Sequence, residues 1–207
     1  MIREESSTHA RVRRVATDLF ARRGYGGTSM SEIAERVGIR KASIYNYYDS
    51  KADLMIDLLE ESLMAWQEAC QVDFPAEVGV ETRLSAYLQA ALQFTRDNPQ
   101  AVGVIRLAAG QIPGELRQRV NEIIDRHDAE WQQQLTSIFE RAIARGEVEQ
   151  ANPTDLGLFW SVFVHGLLMN QIFAEERGGA AMTRLEPLWR LFWRGLSGRE
   201  PTTEIEL

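Results

Sequence analysis

The stretch SMSEIAERVGIRKASIYNYYDSK, residues 29–51, limits what this chain can fold into more than any other part of the sequence. Ser29 and Glu32 have the spacing of a capping box, which predicts that a helix begins near Ser29. Gly38 ends that helix, because glycine accepts a left-handed backbone. A second short helix is predicted over residues 40–48. Two short helices joined by a glycine turn are typical of a helix-turn-helix, whose second helix enters the major groove of DNA.

The predicted second helix has an apolar side and a polar side. Ile44 and Tyr48 are four residues apart, so both should face the interior. The opposite side and its flanks carry the residues that could touch DNA: Lys41, Ala42, Ser43, Tyr45, Asn46 and Tyr47. Asparagine can pair with adenine, alanine can contact a thymine methyl group, and lysine can reach guanine or a phosphate.

Several motifs along this part of the chain resemble the DNA-binding domain of the tetracycline-repressor (TetR) family. They are TSMSEIA (28–34), VGI (37–39) and IYNYYDSK (44–51) with Leu54, and upstream Ala16, Leu19-Phe20 and Gly24-Tyr25. The resemblance covers about residues 10–60. It implies that Tyr45, Tyr47 and Lys51 contact DNA phosphates, and that Thr28 or Ser29 brings a helix N-terminus to another phosphate.

Three residues depart from the family pattern. Arg40 stands where a capping Ser is frequent, Ala42 replaces a frequent Gly, and Tyr48 replaces the usual Phe. Arg40 lacks a capping side chain, which costs about 1 kcal/mol, but it adds a cation near the phosphates. The complete set of predicted DNA-binding residues is Thr28, Ser29, Arg40, Lys41, Ala42, Ser43, Tyr45, Asn46, Tyr47 and Lys51.

The distribution of charge favours DNA binding by the N-terminal part alone. Residues 1–51 hold ten Lys/Arg and six Asp/Glu, a net charge of +4, whereas the remaining residues hold 13 and 24, a net charge of −11. A basic head on an acidic body is expected to meet a polyanion only through the head. The single Cys70 excludes an intramolecular disulfide, and the N-terminus lacks the apolar segment of a signal peptide, so we expect a cytoplasmic protein.

Helical periodicity continues to the end of the chain, and no strand-like alternation persists. Further helices are predicted at about 8–23, 50–70, 82–96, 99–109 and 115–145, then after Asn152-Pro153, and again after the capping box Thr183-x-x-Glu186. We therefore expect an all-α protein. Residues 1–52 should form a three-helix head that binds DNA, and residues 53–207 a larger helical body for effector binding and dimerisation.

Residues 156–173, LGLFWSVFVHGLLMNQIF, carry no formal charge and reach the length of a transmembrane helix. Polar residues within the segment favour a different explanation, in which the helix is buried on two sides, against its own domain and against a partner. With the helix at about 183–197 it resembles the paired helices of the family's dimer bundle. The predicted dimer-interface residues are Phe159, Trp160, Phe163, Leu167, Leu188, Trp189 and Phe192.

The sequence offers no constellation for catalysis or metal binding. His9, His127 and His165 lack the spacing of a zinc site, and neither a nucleophile elbow nor a glycine-rich phosphate loop occurs. We therefore expect no enzyme activity, no metal and no cofactor.

The resemblance implies a ligand-responsive transcriptional regulator, with repression favoured over activation. It would bind a palindromic operator as a homodimer and be released by a small apolar or amphipathic effector. Candidate pocket residues are aromatic or polar side chains within apolar helices: Trp66, Tyr87, Phe94, Arg106, His127, Trp131 and His165. Two alternatives remain, an effector-independent DNA-binding protein and an all-α carrier or enzyme that retains the helix-turn-helix as a scaffold. Basic residues at positions 40, 41 and 51 disfavour the second.

Overall fold

The computed structural model describes residues 7–71, 74–75, 77–110, 112–176 and 185–203. Within these ranges the chain forms nine helices and no strand, which confirms the all-α prediction. The helices are α1 (Thr8–Arg23), α2 (Met30–Val37), α3 (Lys41–Ile44), α4 (Lys51–Cys70), α5 (Val80–Asp97), α6 (Pro99–Gly110), α7 (Gly114–Ala144), α8 (Pro153–Glu176) and α9 (Leu185–Ser197). Thr183, in the last predicted capping box, lies outside the described residues.

Local capping explains where the first helices begin and end. The Ser29 side chain accepts a hydrogen bond from the backbone N–H of Glu32, and Gly38 follows α2 with φ of 77°, as predicted. Arg40 provides no side-chain cap to α3, which ends at Ile44. The prediction of a helix to residue 48 was too long, because an uncapped helix of four residues gives way to a turn in which Tyr48 N–H still donates to the Ile44 carbonyl.

The chain divides into two compact units, and the first contains residues 1–66 and 98–126. Its core joins the apolar sides of α1 and α2 to Ile44 and to the first part of α4. Helix α6 packs against α1, where Gly103 meets Ala21. Two ion pairs, Arg119–Asp53 at 3.0 Å and Arg126–Glu60 at 3.1 Å, join α7 to α4 at its surface.

The second unit contains residues 67–97 and 127–207, and an aromatic cluster lies at its centre. Trp160 and Trp189 are fully buried, with ring centroids 6.4 Å apart. Tyr87 stacks on Trp131 at 4.6 Å and meets the edge of Trp160 at 6.0 Å. The absence of a side chain at Gly157 lets α8 approach α7 closely, since a Cβ there would lie 3.1 Å from the Leu135 Cβ.

These compact units do not follow the boundary expected at residue 52. Residues 98–126 pack with the N-terminal part of the chain, and both α4 and α7 have residues in each unit. The assignment of DNA binding to 1–52 and of effector binding and dimerisation to 53–207 concerns function, and it remains a prediction.

Candidate nucleic-acid interface

The segment from Arg40 to Tyr48, hereafter the recognition segment, presents the polar side that the sequence predicts. Ile44 is fully buried and Tyr48 is 7% exposed, so these two side chains hold the segment on the core. Tyr45 and Tyr47 are 43% and 45% exposed. The large exposed aromatic side chains on either side of position 46 create a surface that could stack or hydrogen-bond with DNA.

The start of the recognition segment carries two available cations. Arg40 and Lys41 are exposed, and neither side chain forms an ion pair or hydrogen bond with any residue in the described ranges. Ala42 and Asn46 are exposed and Ser43 is half-buried. Most other arginines of the head are engaged in ion pairs with nearby carboxylates: Arg13, Arg22, Arg23 and Arg36. The recognition segment therefore combines uncompensated charge with exposed polar groups.

Lys51 has a structural role that the sequence did not indicate. Its ammonium donates hydrogen bonds to the carbonyl oxygens of Tyr25 at 2.9 Å and Thr28 at 3.0 Å, and it lies 4.0 Å from the centroid of the Tyr25 ring. Burial lowers the pKa of this side chain. Lys51 thus ties the start of α4 to the loop between α1 and α2, whereas its predicted phosphate contact remains a prediction.

Thr28 and Ser29, the alternatives for a phosphate contact near α2, lie in different surroundings. Thr28 is 2% exposed, and its hydroxyl donates to the Gly24 carbonyl at 3.0 Å. Burial and this internal hydrogen bond keep the Thr28 side chain away from the surface, whereas the approach of the helix N-terminus to a phosphate remains a prediction. Ser29 is exposed at the first turn of α2, where a phosphate contact remains a prediction.

The Tyr48 hydroxyl belongs to a polar network that the sequence analysis missed. It donates to a carboxylate oxygen of Asp57 at 2.7 Å and lies 2.9 Å from Nε2 of His9. Arg13 pairs with Asp57 at 3.0 Å and with Glu61 at 2.6 Å. Burial, and then the Asp57 hydrogen bond, raises the pKa of Tyr48. The departure from phenylalanine at position 48 was the only indication in the sequence.

The seven predicted effector residues are divided between the two compact units. Trp66 and Arg106 belong to the first unit, and the other five belong to the second. In the second unit Phe94 is buried, and Trp131 is half-buried against Tyr87. His127 is half-buried, but His165 is exposed. The exposure of His165 places it on the surface of α8 rather than in the interior, where we expected it.

Helices α8 and α9 carry a group of exposed large hydrophobic side chains, which we call the apolar face. Its large hydrophobic residues, each between 36% and 68% exposed, are Leu158, Phe159, Val162, Phe173, Leu188 and Leu191. The opposite side of α8 is buried in the second unit. Helix α8 is therefore apolar on two sides, of which only one is covered by the residues that the structure describes.

The predicted dimer-interface residues fall on both of these sides. Phe159 and Leu188 lie on the apolar face, and Phe163 is half-buried beside it. Four others are between 0% and 6% exposed, so they are corrected to core residues of the single chain: Trp160, Leu167, Trp189 and Phe192. Periodicity could not separate the two sides, because α8 presents apolar residues in nearly every direction.

Judged by length and composition alone, residues Pro153–Ala174 of α8 could cross a membrane. Within them, 33% of the 18-residue apolar segment that meets this test is buried in the structure. A helix that packs on its own core with one side and on a second protein with the other has the same composition. Among the described residues, no three His, Cys, Asp or Glu side chains are grouped so that they could hold a metal ion.

Comparison with known proteins gives the same result at three levels. The family model described as bacterial regulatory proteins, tetR family, matches residues 12–58. The fatty acid metabolism regulator protein of Bacillus subtilis (strain 168) is 25% identical over 135 residues, 65% of this chain and 68% of that protein. This alignment and that with the regulator RutR of Escherichia coli (strain K12), which is 28% identical over 115 residues and 52% of this chain, span 68% and 54% of the length of those two proteins.

Two solved structures share the fold over nearly the whole chain. The regulator FadR from Bacillus subtilis in complex with stearoyl-CoA has a TM-score of 0.73 at 20% identity, over 90% of this chain and 98% of that one. AibR in complex with isovaleryl coenzyme A and operator DNA has a TM-score of 0.66 at 19% identity, over 92% and 98%. The similarity extends beyond the matched N-terminal segment and includes the helical body.

Proposed function

Because this chain belongs to the TetR family of bacterial regulatory proteins, we propose that it is a cytoplasmic transcriptional regulator that binds operator DNA as a homodimer. The observation that carries the proposal is the recognition segment. Its buried residues fix it on the core, while exposed Tyr45, Asn46 and Tyr47 follow two unpaired cations. That arrangement supplies both phosphate contacts and base contacts from one short segment.

In the proposed complex, α3 and the turn after it enter the major groove. Ala42, Ser43 and Asn46 face the base edges, and an Asn–adenine pair is worth about 1–3 kcal/mol of discrimination. Arg40, Lys41, Tyr45 and Tyr47 contact phosphates, and Ser29 brings the N-terminus of α2 to another. The two heads of a dimer would read the half-sites of a palindrome about 34–36 Å apart.

The apolar face of α8 and α9 is the proposed dimer interface. Six large hydrophobic side chains are exposed there, and monomeric proteins rarely expose apolar patches of this kind. Pairing α8 and α9 with the same helices of a second chain would form a four-helix bundle. A permanent interface of this type buries about 2,000 Å² or more.

We further propose that the protein is a repressor released by an acyl-CoA thioester or a similar amphipathic molecule. Support comes from the relative that is named as a fatty acid metabolism regulator, and from two structural neighbours that bind stearoyl-CoA and isovaleryl coenzyme A. The aromatic residues Tyr87, Phe94 and Trp131 would contribute to the apolar part of the site.

Effector and DNA would be coupled through the helices rather than by competition for one site. Helices α4 and α7 each run through both units, so a shift in one part of either helix would be passed to the other part. The expected coupling is about 1–3 kcal/mol, or roughly 5–150-fold in affinity. Operator DNA must then weaken effector binding by the same factor.

The proposal is tested by selecting bound duplexes from a random pool and measuring their affinity by fluorescence anisotropy. The enriched sequence should be palindromic, and Asn46→Ala should change the preferred bases. Lys41→Ala should weaken all sequences alike and reduce the salt dependence by about one unit. Glu122→Gln, an exposed change on α7, serves as the control. Failure of the wild-type protein to enrich any duplex would contradict the proposed function.

Effector binding is tested separately with stearoyl-CoA and isovaleryl-CoA, using coenzyme A as the control. A thioester that raises the melting temperature and weakens operator binding supports a ligand-responsive repressor. A protein that binds operator DNA but responds to no acyl-CoA would favour another effector, or the effector-independent alternative.

A further inference from the structure

Tyr48 lies between two titratable side chains from different helices. Its hydroxyl is 2.9 Å from Nε2 of His9 in α1 and 2.7 Å from Oδ2 of Asp57 in α4. Because Tyr48 is the last residue of the recognition segment, this network joins that segment to both helices. His9 is not one of the proposed DNA contacts.

The hydrogen bonds determine which atom of His9 carries a proton. A carboxylate can only accept hydrogen bonds, and that of Asp57 is paired with Arg13 at 3.0 Å. The single hydroxyl hydrogen of Tyr48 is therefore directed at Asp57. The Tyr48 oxygen must then accept from His9, so Nε2 carries a hydrogen in both charge states of the ring. A proton that charges His9 is added at Nδ1.

His9 also touches the exposed side of the recognition segment. Its ring centroid lies 5.3 Å from that of Tyr47, with an interplanar angle of 43°, and 5.5 Å from that of Tyr48. Tyr47 is 45% exposed and is one of the proposed phosphate contacts. The first turn of α1 therefore supports the side chain that would meet the DNA backbone.

We propose that His9 is a positioning residue for DNA binding, which holds Tyr47 towards the phosphate backbone and strengthens the complex when its ring is charged. The inference rests on the proposed DNA-binding function. The DNA phosphates attract a charged ring only in the complex, whereas the carboxylate beyond Tyr48 and the face of the Tyr47 ring attract it in the free protein as well, so the phosphates supply the gain in affinity. Histidine is the side chain whose unperturbed charge change falls between about pH 5 and 8.

The other charged groups of the network do not cancel this effect. Arg13 lies four residues along α1 and repels a charged His9, but its guanidinium is paired with Asp57 and with Glu61 at 2.6 Å. From the recognition segment the facing titratable groups are Tyr47 and Tyr48, and burial raises the pKa of Tyr48 further above this pH range. Lowering the pH should therefore tighten DNA binding.

The test measures affinity for the wild-type-selected duplex by anisotropy at pH 6 and pH 8, at constant ionic strength. For the wild-type protein we expect tighter binding at pH 6 than at pH 8 by about twofold to fivefold, the size of one exposed charge pair. His9→Gln keeps an N–H donor for Tyr48 but cannot titrate, so its affinity should not depend on pH. Asp18→Asn on α1 is the matched control and should keep the wild-type profile.

Two further variants separate positioning from folding. His9→Phe keeps a ring beside Tyr47 but lacks both donor and charge, and it should bind weakly at both pH values while melting like the wild-type protein. Tyr48→Phe removes the acceptor and should reduce the pH effect. If the wild-type protein binds DNA equally at pH 6 and pH 8, or if His9→Gln keeps the wild-type profile, the inference is wrong although the proposed function stands.

Discussion

Gly103 of α6 and Ala21 of α1 lie so close that a Cβ built on Gly103 would be 2.6 Å from the Ala21 Cβ and 3.2 Å from its Cα. Only a hydrogen atom fits at this crossing. Since the obstructing atoms belong to the rigid part of α1, no rotation of a flexible side chain could make room. This contact fixes α6 on α1, the helix that carries His9 and also packs against α2.

Gly103→Ala is therefore expected to destabilise the protein, although alanine favours helices. The added methyl group forces α6 and α1 apart, at a cost of about 1–3 kcal/mol, which exceeds the gain in helix propensity of about 1 kcal/mol or less. Urea denaturation should show the loss. Gly110→Ala at the end of the same helix, where a Cβ would meet nothing within 4 Å, should be neutral or stabilising.

Lys51→Met is expected to lower the free energy of unfolding by about 1–3 kcal/mol, because two backbone carbonyls lose a charged donor. Lys41→Met, which removes an exposed lysine, should leave stability unchanged. The salt dependence of DNA binding separates the two roles of Lys51. A fall of about one unit in the salt slope would mean that Lys51 also contacts a phosphate. An unchanged slope would mean that Lys51 only stabilises the fold.

Asp53 is expected to make stability depend on pH in acid. Hydrogen bonds from Ser50 and Arg119 lower its pKa in the folded chain. A lowered folded-state pKa means that the contribution of Asp53 is present above the unfolded value, about pH 4, and is lost as the pH falls through the folded value. Asp53→Asn should therefore be less stable than the wild-type protein at pH 7, and the difference should shrink at pH 3. Asp125→Asn, the same change at an exposed position of α7, serves as the control.

Leu191→Glu is expected to produce a folded monomer. Leu191 is 68% exposed at the apolar face, so a charge there leaves the core intact but would be buried without a partner in the dimer. Sedimentation velocity should show the change in mass. Arg190→Glu, an exposed change at the adjacent position of α9 that removes no hydrophobic side chain, should remain dimeric. Trp189→Glu would not be a suitable test, since Trp189 is fully buried and its replacement would disrupt the fold.

Features determined by neighbouring residues were predictable from the sequence. The apolar stripe of α1 predicted where that helix begins and ends. The capping pair Ser29–Glu32 predicted the start of α2, and Gly38 predicted its end. The inward direction of Ile44 and Tyr48 followed from their spacing. In each case the determining groups are at most a few residues apart, so one helical turn contains the information.

Features determined by distant residues were not predictable. His9 and Tyr48 are 39 positions apart, and Lys51 reaches carbonyl oxygens that any residue types at positions 25 and 28 would provide. Helix α8 gave no indication of which apolar side faces its own core, and Trp160 was therefore assigned to the interface. Tertiary packing, rather than local pattern, decides these positions.

The central claim is that this chain binds a palindromic operator as a dimer through its recognition segment. The most direct measurement is the mass of the complex formed between the wild-type protein and the selected duplex, obtained by sedimentation equilibrium. We expect each duplex to bind an even number of 23.5 kDa chains. Scrambling one half-site should abolish the complex. A single chain bound to each duplex, or a complex unaffected by the scrambled half-site, would contradict it.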